Sequence, residues 1–218
     1  MPTMQLIGML DSPYVRRVAV SLQLLGLPFE HRSISVFRGF DTFRRISPVV
    51  KAPSLVCDDG SVLLDSTLIL EHAEALAAAL PPPRRSLMPA DPAERLRTLS
   101  LLGLALAASE KSVQIVYENL RPADKLHAPW FDRVSGQLRV AYGELEAALA
   151  KRPLAVDTDR IDQAGVTIAV AWRFTQARMP EVVDPAAHPR LAAHSAQAEA
   201  LPAFRAAPHG EAAYPVAG

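Results

Sequence analysis

A proline-rich segment, PPPRRSLMPADP at residues 81–92, divides the sequence into two parts with different patterning. Its five prolines and its lack of apolar periodicity exclude the interior of a helix, and a segment of this kind acts as a stiff connector. Residues 1–80 combine strand and helix patterns, whereas residues 93–218 show helix patterns only. The sequence therefore predicts two domains joined by a linker at 81–92.

The first part has the pattern of a strand, a helix and a strand, followed by two strands and a helix. A short apolar run precedes a helical spacing that ends near Gly26, and a partly alternating stretch follows as far as Val36. Residues 37–48 are expected to be irregular or weakly helical. Asp59-Gly60 between two β-rich runs predicts a hairpin, and helical spacing resumes at Asp65. In this βαβ-ββα order the first two strands are parallel and the hairpin strands antiparallel.

The second part is expected to be all helical. Residues 164–174 are apolar on nearly every side, which predicts a helix buried in the middle of the domain. A helix that begins with proline is interrupted near Pro202. Two long amphipathic helices come first, and their expected inward faces are Leu99, Leu102, Leu106, Ser109, Val113 and Val116, then Val134, Leu138, Ala141, Leu145 and Leu149.

Charge and composition exclude several classes of function. Lys plus Arg and Asp plus Glu both number 23, so the formal net charge is zero and no global field favours nucleic acid or anionic lipid. The single cysteine, Cys57, excludes an intramolecular disulfide and a multi-thiolate zinc site. The six histidines show no HxxxH or HExxH spacing, so no metal is expected. Neither a signal peptide nor a transmembrane helix is evident, which favours a cytoplasmic location.

The order of elements and several short motifs resemble the cytosolic glutathione transferase superfamily. SPYVRRVAVSLQLLGLPFE resembles its first strand and helix, SPVVKAPSL the segment around its cis-proline, DDGSVLLDSTLILEH its hairpin and third helix, and LMPADPAERLR the entry to its helical half. The resemblance implies an α/β, thioredoxin-like N-terminal domain that binds glutathione. It also implies an all-α C-terminal domain that supplies much of the electrophile pocket, and a homodimer.

Ser12 and Pro13 open the first predicted helix. From the residues alone, Ser12 is an N-cap whose hydroxyl accepts a backbone N–H, and Pro13 is the first helical residue. SPY is close to the SPF motif of tau-like transferases, and this resemblance implies that the Ser12 hydroxyl holds the glutathione thiolate and is catalytic. The two roles are compatible because a hydroxyl has one donor and two acceptor lone pairs. Omega-like members carry cysteine here, so serine favours conjugation over thiol exchange.

The resemblance also implies contacts to the rest of glutathione. Asp65 meets the α-amino group of the γ-glutamyl end, while the Ser66 hydroxyl and helix N–H groups take its carboxylate; from the residues alone, the pair is equally a helix cap. Ala52, before the cis residue Pro53, pairs its backbone with the cysteinyl part as an added strand does.

Two basic residues are candidates for the glycyl carboxylate of glutathione. Lys51 stands where tau-like and omega-like members carry lysine, just before the X-Pro pair. Arg38 lies in the loop region, where Arg44 and Arg45 compete with it. All of them also suit plain solvated surface charges.

The start of the buried helix departs from the family's capping box, in which Ser or Thr at the cap is followed three residues later by Asp. Here Asp162 can cap and Ile161 can pack onto Val166, but Gly165 occupies the third helical position. We expect the loss of one reciprocal hydrogen bond and a glycine penalty of about 1 kcal/mol. The effect concerns stability rather than the reaction.

The sequence thus predicts a glutathione transferase that activates the thiolate of its co-substrate glutathione for attack on a small hydrophobic electrophile, with a role in detoxification. It is expected to act without a metal, as a homodimer, and without nucleic-acid or membrane partners. Two alternatives stay open. One is a glutathione-dependent isomerase, dehalogenase or peroxidase, and the other is a non-catalytic transferase-like binding or regulatory protein.

Overall fold

The computed structural model describes residues 4–211, and the chain forms two compact units. Of the described residues, 4–87 and 200–211 form the first unit, and Met88–Glu199 form the second. The passage between them at residues 87–88 falls inside the proline-rich segment. Residues 200–211, which the sequence pattern assigns to the helical domain, pack instead with the first unit.

A four-stranded sheet of order β2-β1-β3-β4 is the centre of the first unit. β1 pairs parallel with β2, and β3 pairs antiparallel with β4, as predicted. The antiparallel pairing of β1 with β3, which joins the two halves of the sheet, was not predicted. Each strand has three residues, fewer than the apolar runs that predicted it. The strands are β1 (Gln5–Ile7), β2 (Glu30–Arg32), β3 (Ser54–Val56) and β4 (Val62–Leu64).

The described residues of this unit form the helices α1 (Pro13–Leu24), α2 (Phe40–Ile46), α3 (Ser66–Ala79) and α8 (Pro202–Ala206). Ser12 caps α1, and Gly26 lies just beyond its end with a φ of 71°, a conformation that glycine adopts at little cost. α2 falls where an irregular or weakly helical segment is expected. It buries a single large side chain, Phe43, which is too little apolar repetition for a confident helix pattern.

The second unit consists of α4 (Pro92–Asn119), α5 (Ala128–Lys151), α6 (Gln163–Arg178) and α7 (Pro189–Glu199), together with two short 3₁₀ turns. All five residues of the predicted inward face of α5 are buried, and α6 is buried almost throughout, as predicted. The predicted inward face of the first long helix is confirmed only in part. Leu102 and Ser109 are buried, but Leu99 is 47% exposed, and the residues that enter the hydrophobic core are Leu101, Ala105, Ala108 and Ile115. Small residues allow α5 and α6 to pack closely there.

α4 is long and apolar enough to cross a membrane by length and composition alone. Its buried Leu101, Ala105, Ala108 and Ile115, however, pack into one hydrophobic cluster with side chains of α5, α6 and α7. Core helices of globular domains also have this length and apolar composition, so the packing of α4 in the core accounts for both.

Tertiary contacts surround the cap of α6. Asp162 accepts the Gly165 N–H through Oδ1 at 2.8 Å, as predicted, and Thr98 Oγ1 donates to its other carboxylate oxygen at 2.9 Å. His194 Nε2 lies 2.9 Å from the Gly165 carbonyl oxygen. A Cβ at position 165 would lie 3.0 Å from Ile161 Cγ1, so close packing as well as capping accounts for glycine there. Thr98 and His194 therefore hold the start of α6 through other hydrogen bonds than the one the capping box would supply.

Candidate functional site

Three chain segments meet where the strands β1, β3 and β4 end, on one side of the sheet in the first unit. Ile7 pairs with Ser54, and Ser54 pairs with Leu64, so the residues one step further along, Gly8, Pro53 and Asp65, follow the same row. The turn from β1 into α1, the segment before β3 and the start of α3 therefore lie side by side. This row of strand ends, with two helix N-termini beside it, is suited to an extended, anionic ligand.

Gly8 makes the close approach of these segments possible. Its φ is 135°, and an added Cβ would lie 2.6 Å from Val15 Cγ2 and 3.1 Å from Ala52 Cβ. His31 Nε2 lies 2.7 Å from the Gly8 carbonyl oxygen, and burial lowers the pKa of His31. The turn that leads to Ser12 is thus fixed from both sides.

Ser12 is the N-cap of α1, with extended backbone angles of φ −73° and ψ 127°. Its Oγ accepts the Val15 N–H at 3.4 Å, a long contact that confirms the predicted cap. Within residues 4–211, the Ser12 hydroxyl hydrogen has no acceptor. A half-buried hydroxyl with an uncommitted hydrogen therefore stands at the positive end of a helix.

The segment before β3 presents open backbone. The Ala52-Pro53 bond is cis, and Val50 has a positive φ of 53°. Ser54 Oγ donates to the Lys51 carbonyl oxygen at 2.8 Å and holds the segment in place. In the part of the chain that the structure describes, the Ala52 backbone makes no hydrogen bond. An extended ligand can pair there as an additional strand.

Asp65 and Ser66 start α3, and Asp65 caps it as predicted. The Asp65 carboxylate accepts the Thr67 N–H at 2.9 Å and the Lys51 ammonium at 3.3 Å. Burial works to raise the pKa of Asp65, but the Thr67 N–H, Lys51 and the charge of Arg17 outweigh it, so the pKa is lowered. The carboxylate is ionised at neutral pH and half exposed, which suits a contact with an ammonium group.

Sequence reasoning missed Arg17, which lies 1% exposed in α1. Its NH1 donates to Ser66 Oγ at 2.9 Å and to Thr67 Oγ1 at 3.3 Å. Burial lowers its pKa to about 10, against the opposing charges of Asp65 and Tyr14, so Arg17 stays protonated at neutral pH. The available signal was the pair of arginines in the otherwise apolar stretch PYVRRVAV, since a buried charge needs a polar partner.

Arg38 occupies a different environment from the other candidates. Its guanidinium pairs with the Glu211 carboxylate at 2.7 Å, and both side chains are about two-thirds exposed. Glu211, with a smaller contribution from Asp11, raises the pKa of Arg38. The competitors Arg44 and Arg45 contact Asp41 and Thr42 on their own helix, α2. The structure thus brings together five of the candidates: Lys51, Ala52, Pro53, Asp65 and Ser66. Ser12 lies at the start of α1, the helix that also carries Arg17. Arg38 lies apart from them and contacts the C-terminal segment.

Two other residue groups bear on the chemistry. Cys57 is half-buried at the end of β3, and burial raises the pKa of its thiol, so it is protonated at neutral pH. Among residues 4–211, no three His, Cys, Asp or Glu side chains are grouped so as to hold a metal ion.

Comparison with known proteins agrees with this geometry. Residues 6–83 match the family model of the glutathione S-transferase N-terminal domain. The GST-like protein YibF of Escherichia coli is 27% identical over 169 residues, covering 78% of this chain and 81% of that protein. Glutathione S-transferase U6 of Arabidopsis thaliana is 26% identical over 121 residues, or 56% of this chain and 51% of that protein.

Solved structures extend the likeness to nearly the whole chain. A glutathione transferase family member from Pseudomonas fluorescens with bound glutathione is 28% identical, with a TM-score of 0.76 over 94% of this chain and 98% of that one. A glutathione S-transferase from Methylobacterium radiotolerans in complex with glutathione sulfonate is also 28% identical, with a TM-score of 0.79 over 93% of both chains. The fold, the family model over residues 6–83 and these relatives together support the cytosolic glutathione transferase superfamily.

Proposed function

We propose that the protein is a glutathione transferase in which glutathione lies along the edge of the sheet, and Ser12 donates a hydrogen bond to its thiolate. The observation that supports this most directly is the meeting of an uncommitted Ser12 hydroxyl, the open backbone of Ala52 and the Asp65-Ser66 helix start in one unit. Relatives whose names describe bound glutathione or glutathione sulfonate support the same ligand.

The charges of the candidate residues match those of glutathione. Asp65 is suited to the α-ammonium of the γ-glutamyl end, and Ser66 with the first N–H groups of α3 to its α-carboxylate. Lys51, already beside Asp65 at 3.3 Å, and Arg38 are our candidates for the glycyl carboxylate. Ala52 and Pro53 then meet the cysteinyl part and direct its sulfur toward the N-terminus of α1.

The energy required for thiolate formation is within reach of this arrangement. A thiol with a pKa near 8.5 needs about 2.7 kcal/mol of preference for the charged form to lower that pKa by about two units. A hydroxyl donor together with the partial positive charge of a helix N-terminus provides an effect of about this size. The thiol proton leaves to solvent, the sulfur forms a bond to the electrophilic carbon, and the leaving group departs with its electron pair.

A second candidate function is glutathione binding without turnover, and Asp11 is the observation that favours it. Its carboxylate directly precedes Ser12 and is half-buried. A negative charge near the sulfur opposes ionisation of the thiol. Arg38 moderates this effect, because the charge of Asp11 is one of those that raise the pKa of Arg38.

Homodimer formation is part of the proposal. Each unit exposes large apolar side chains: Leu68 on α3 is 57% exposed, and Leu96 and Val140 on α4 and α5 are 70% and 65% exposed. A second copy of the chain that packs against these side chains would remove them from water. Sedimentation at several protein concentrations measures the assembly state directly, and a monomer at all of them would contradict this part.

Calorimetric titration with reduced glutathione tests the proposal as a whole, with glutathione disulfide and free cysteine as control ligands. We expect saturable binding of glutathione at or below millimolar concentration, and cysteine alone should not bind because it lacks both terminal groups. Turnover with an aryl halide then separates conjugation from binding alone. A folded protein that does not bind millimolar glutathione would refute the function.

A further inference from the structure

Val50 has a backbone conformation that does not suit its side chain. Its φ is 53°, in the left-handed region, and the only other non-glycine residue of the described chain with a positive φ is Asp65, at 71°. For a β-branched residue this conformation is an outlier, because the branched side chain crowds the backbone. Val50 directly precedes Lys51 and Ala52 of the candidate site. Strain of this kind is typical of ligand-binding segments and switches.

Val50 and Asp65 differ in what fixes their conformations. Asp65 is the N-cap of α3, so a helix of 14 residues determines where its backbone lies. Val50 lies in the segment 47–53, which joins α2 to β3. Its neighbours Val49 and Lys51 are both exposed to solvent. The strain at Val50 is therefore held in an exposed connection and not in a packed core.

The hydrogen bonds of this segment oppose the strain. The Val50 N–H donates to the Ser47 carbonyl oxygen at 2.9 Å. Lys51 accepts from Ser54 Oγ at 2.8 Å through its carbonyl oxygen, and its ammonium donates to the Asp65 carboxylate at 3.3 Å.

The contacts and the strain are of similar size. One hydrogen bond changes a conformational population by about two- to tenfold, and an exposed ion pair such as Lys51–Asp65 by less. Left-handed strain changes a population by about five- to thirtyfold in the opposite direction. Neither effect dominates, so a small additional interaction decides which conformation of the segment prevails.

We propose that the segment 47–53 has two conformations, an open one in which Val50 is relaxed and the strained one described above, and that glutathione stabilises the strained one. The dihedral angles of Val50 set the direction of the chain that follows, so Lys51 and Ala52 face the ligand only when Val50 is strained. The apparent affinity is then reduced by the fraction of molecules that are open. This inference rests on the proposed function and concerns the regulation of the same site, with Val50 as a positioning residue.

Relief of the strain distinguishes two conformations from one. Glycine adopts a positive φ freely, so Val50→Gly removes the strain. If the free protein is strained throughout, this substitution raises the free energy of unfolding and leaves the affinity for glutathione unchanged. If the free protein is mostly open, the relief appears in binding instead, because the bound form carries the strain and the free form does not.

The test measures calorimetric titration with reduced glutathione and urea unfolding on a graded series of variants. Val50→Asn is included because asparagine tolerates the left-handed region better than valine, and Val50→Ala because it removes the branch but keeps a Cβ. Val49→Gly is the matched control. It places glycine at an exposed neighbour that is described without a positive φ, so it reports the general cost of glycine in this segment.

We expect Val50→Gly to bind glutathione about three- to tenfold more tightly than wild type, with Val50→Asn next and Val50→Ala nearest to wild type. Val49→Gly should bind no more tightly than wild type. Hydrogen exchange gives a second readout. Glutathione should slow exchange of the Val50 amide in wild type, and should slow exchange of the same amide less in Val50→Gly, in which the segment is already closed.

The outcomes separate this inference from the proposed function. If wild type binds glutathione and both Val50→Gly and Val50→Asn bind it equally well or more weakly, the inference is wrong and the proposed function stands. Equal tightening by Val49→Gly would also overturn the inference, since it would show a general effect of glycine. Should Val50→Gly not fold, Val50→Asn decides in its place. If neither wild type nor any variant binds millimolar glutathione, both proposals fail.

Discussion

Asp65 combines a proposed ligand contact with an unusual backbone conformation. Its φ of 71° and ψ of 127° lie in a region that residues with a side chain seldom adopt. Strain of this kind costs on the order of 1–3 kcal/mol and is kept where the surrounding structure enforces it. The backbone conformation that places the Asp65 carboxylate therefore lowers the free energy of unfolding.

Two substitutions separate the side chain of Asp65 from its backbone. Asp65→Ala and Asp65→Gly both remove the carboxylate, but only glycine adopts the positive φ freely. We predict that Asp65→Gly is more stable than Asp65→Ala by about 1–2 kcal/mol in urea unfolding. Both should lose glutathione binding to the same extent in calorimetry. Equal stabilities, or binding retained by either variant, would contradict this account of Asp65.

At the scale of helices, the helical glycines differ in the space around them. A Cβ at Gly143 in α5 would meet nothing within 4 Å, whereas one at Gly165 in α6 would lie 3.0 Å from Ile161 Cγ1 and 3.4 Å from Asp162 Oδ1. Ile161 is buried and has little room to move. The general helix penalty of glycine is therefore not the deciding factor at position 165.

We predict opposite signs for two glycine-to-alanine substitutions. Gly143→Ala should raise the free energy of unfolding by about 0.5–1 kcal/mol, because it removes the glycine penalty without a clash. Gly165→Ala should lower it, because overpacking of a tight site typically costs about 1–3 kcal/mol. Denaturant unfolding of both variants measures these changes in free energy. Stabilisation by Gly165→Ala would contradict the account, because it would show that Ile161 moves to make room for the added Cβ.

On the scale of the whole molecule, the chain returns to its first unit at its end. Phe204 is completely buried there, and Arg16 Nε donates to the Ala207 carbonyl oxygen at 2.8 Å. Gln23 Nε2 donates to the Ala203 carbonyl oxygen at 3.2 Å, and Ser33 Oγ to the Glu211 carbonyl oxygen at 2.9 Å. Residues 200–211 thus follow α1 toward the loop that carries Arg38.

This assignment predicts where Phe204→Ala acts. Loss of a fully buried phenylalanine should cost about 3–5 kcal/mol, whereas Leu99→Ala at an exposed position should change stability by less than about 0.5 kcal/mol. Hydrogen exchange should rise at the amides of α1 and leave α5 protected. Increased exchange confined to α5 and α6 would show instead that the segment stabilises the helical unit.

The sequence was informative where a pattern is local. The βαβ-ββα order, the all-helical second part, the caps at Ser12, Asp65 and Asp162 and the inward face of α5 all follow from spacing and capping chemistry. It was less informative where long-range contacts decide. The destination of residues 200–211 depends on the carbonyl groups that Arg16 and Gln23 meet, which no local pattern encodes.

The same distinction holds for the candidate site. Family resemblance pointed to Lys51, Ala52, Pro53, Asp65 and Ser66, and sheet register together with the Lys51–Asp65 contact brings them together. Arg17 was missed because its partner is 49 residues away in the sequence and its helical spacing looks like that of a surface arginine. The exposed ion pair of Arg38 with Glu211 joins residues that no spacing relates.

The most direct measurement of the central claim is the thiolate absorbance of bound glutathione as a function of pH, in wild type and in Ser12→Ala. We predict that wild type shifts the ionisation midpoint of the bound thiol about two units below the value near 8.5 of a free thiol. Ser12→Ala should still bind glutathione and return the midpoint toward 8.5, because only the hydroxyl donor is lost. If Ser12→Ala binds glutathione with the midpoint of wild type, Ser12 is a helix cap alone and the proposed chemistry is wrong.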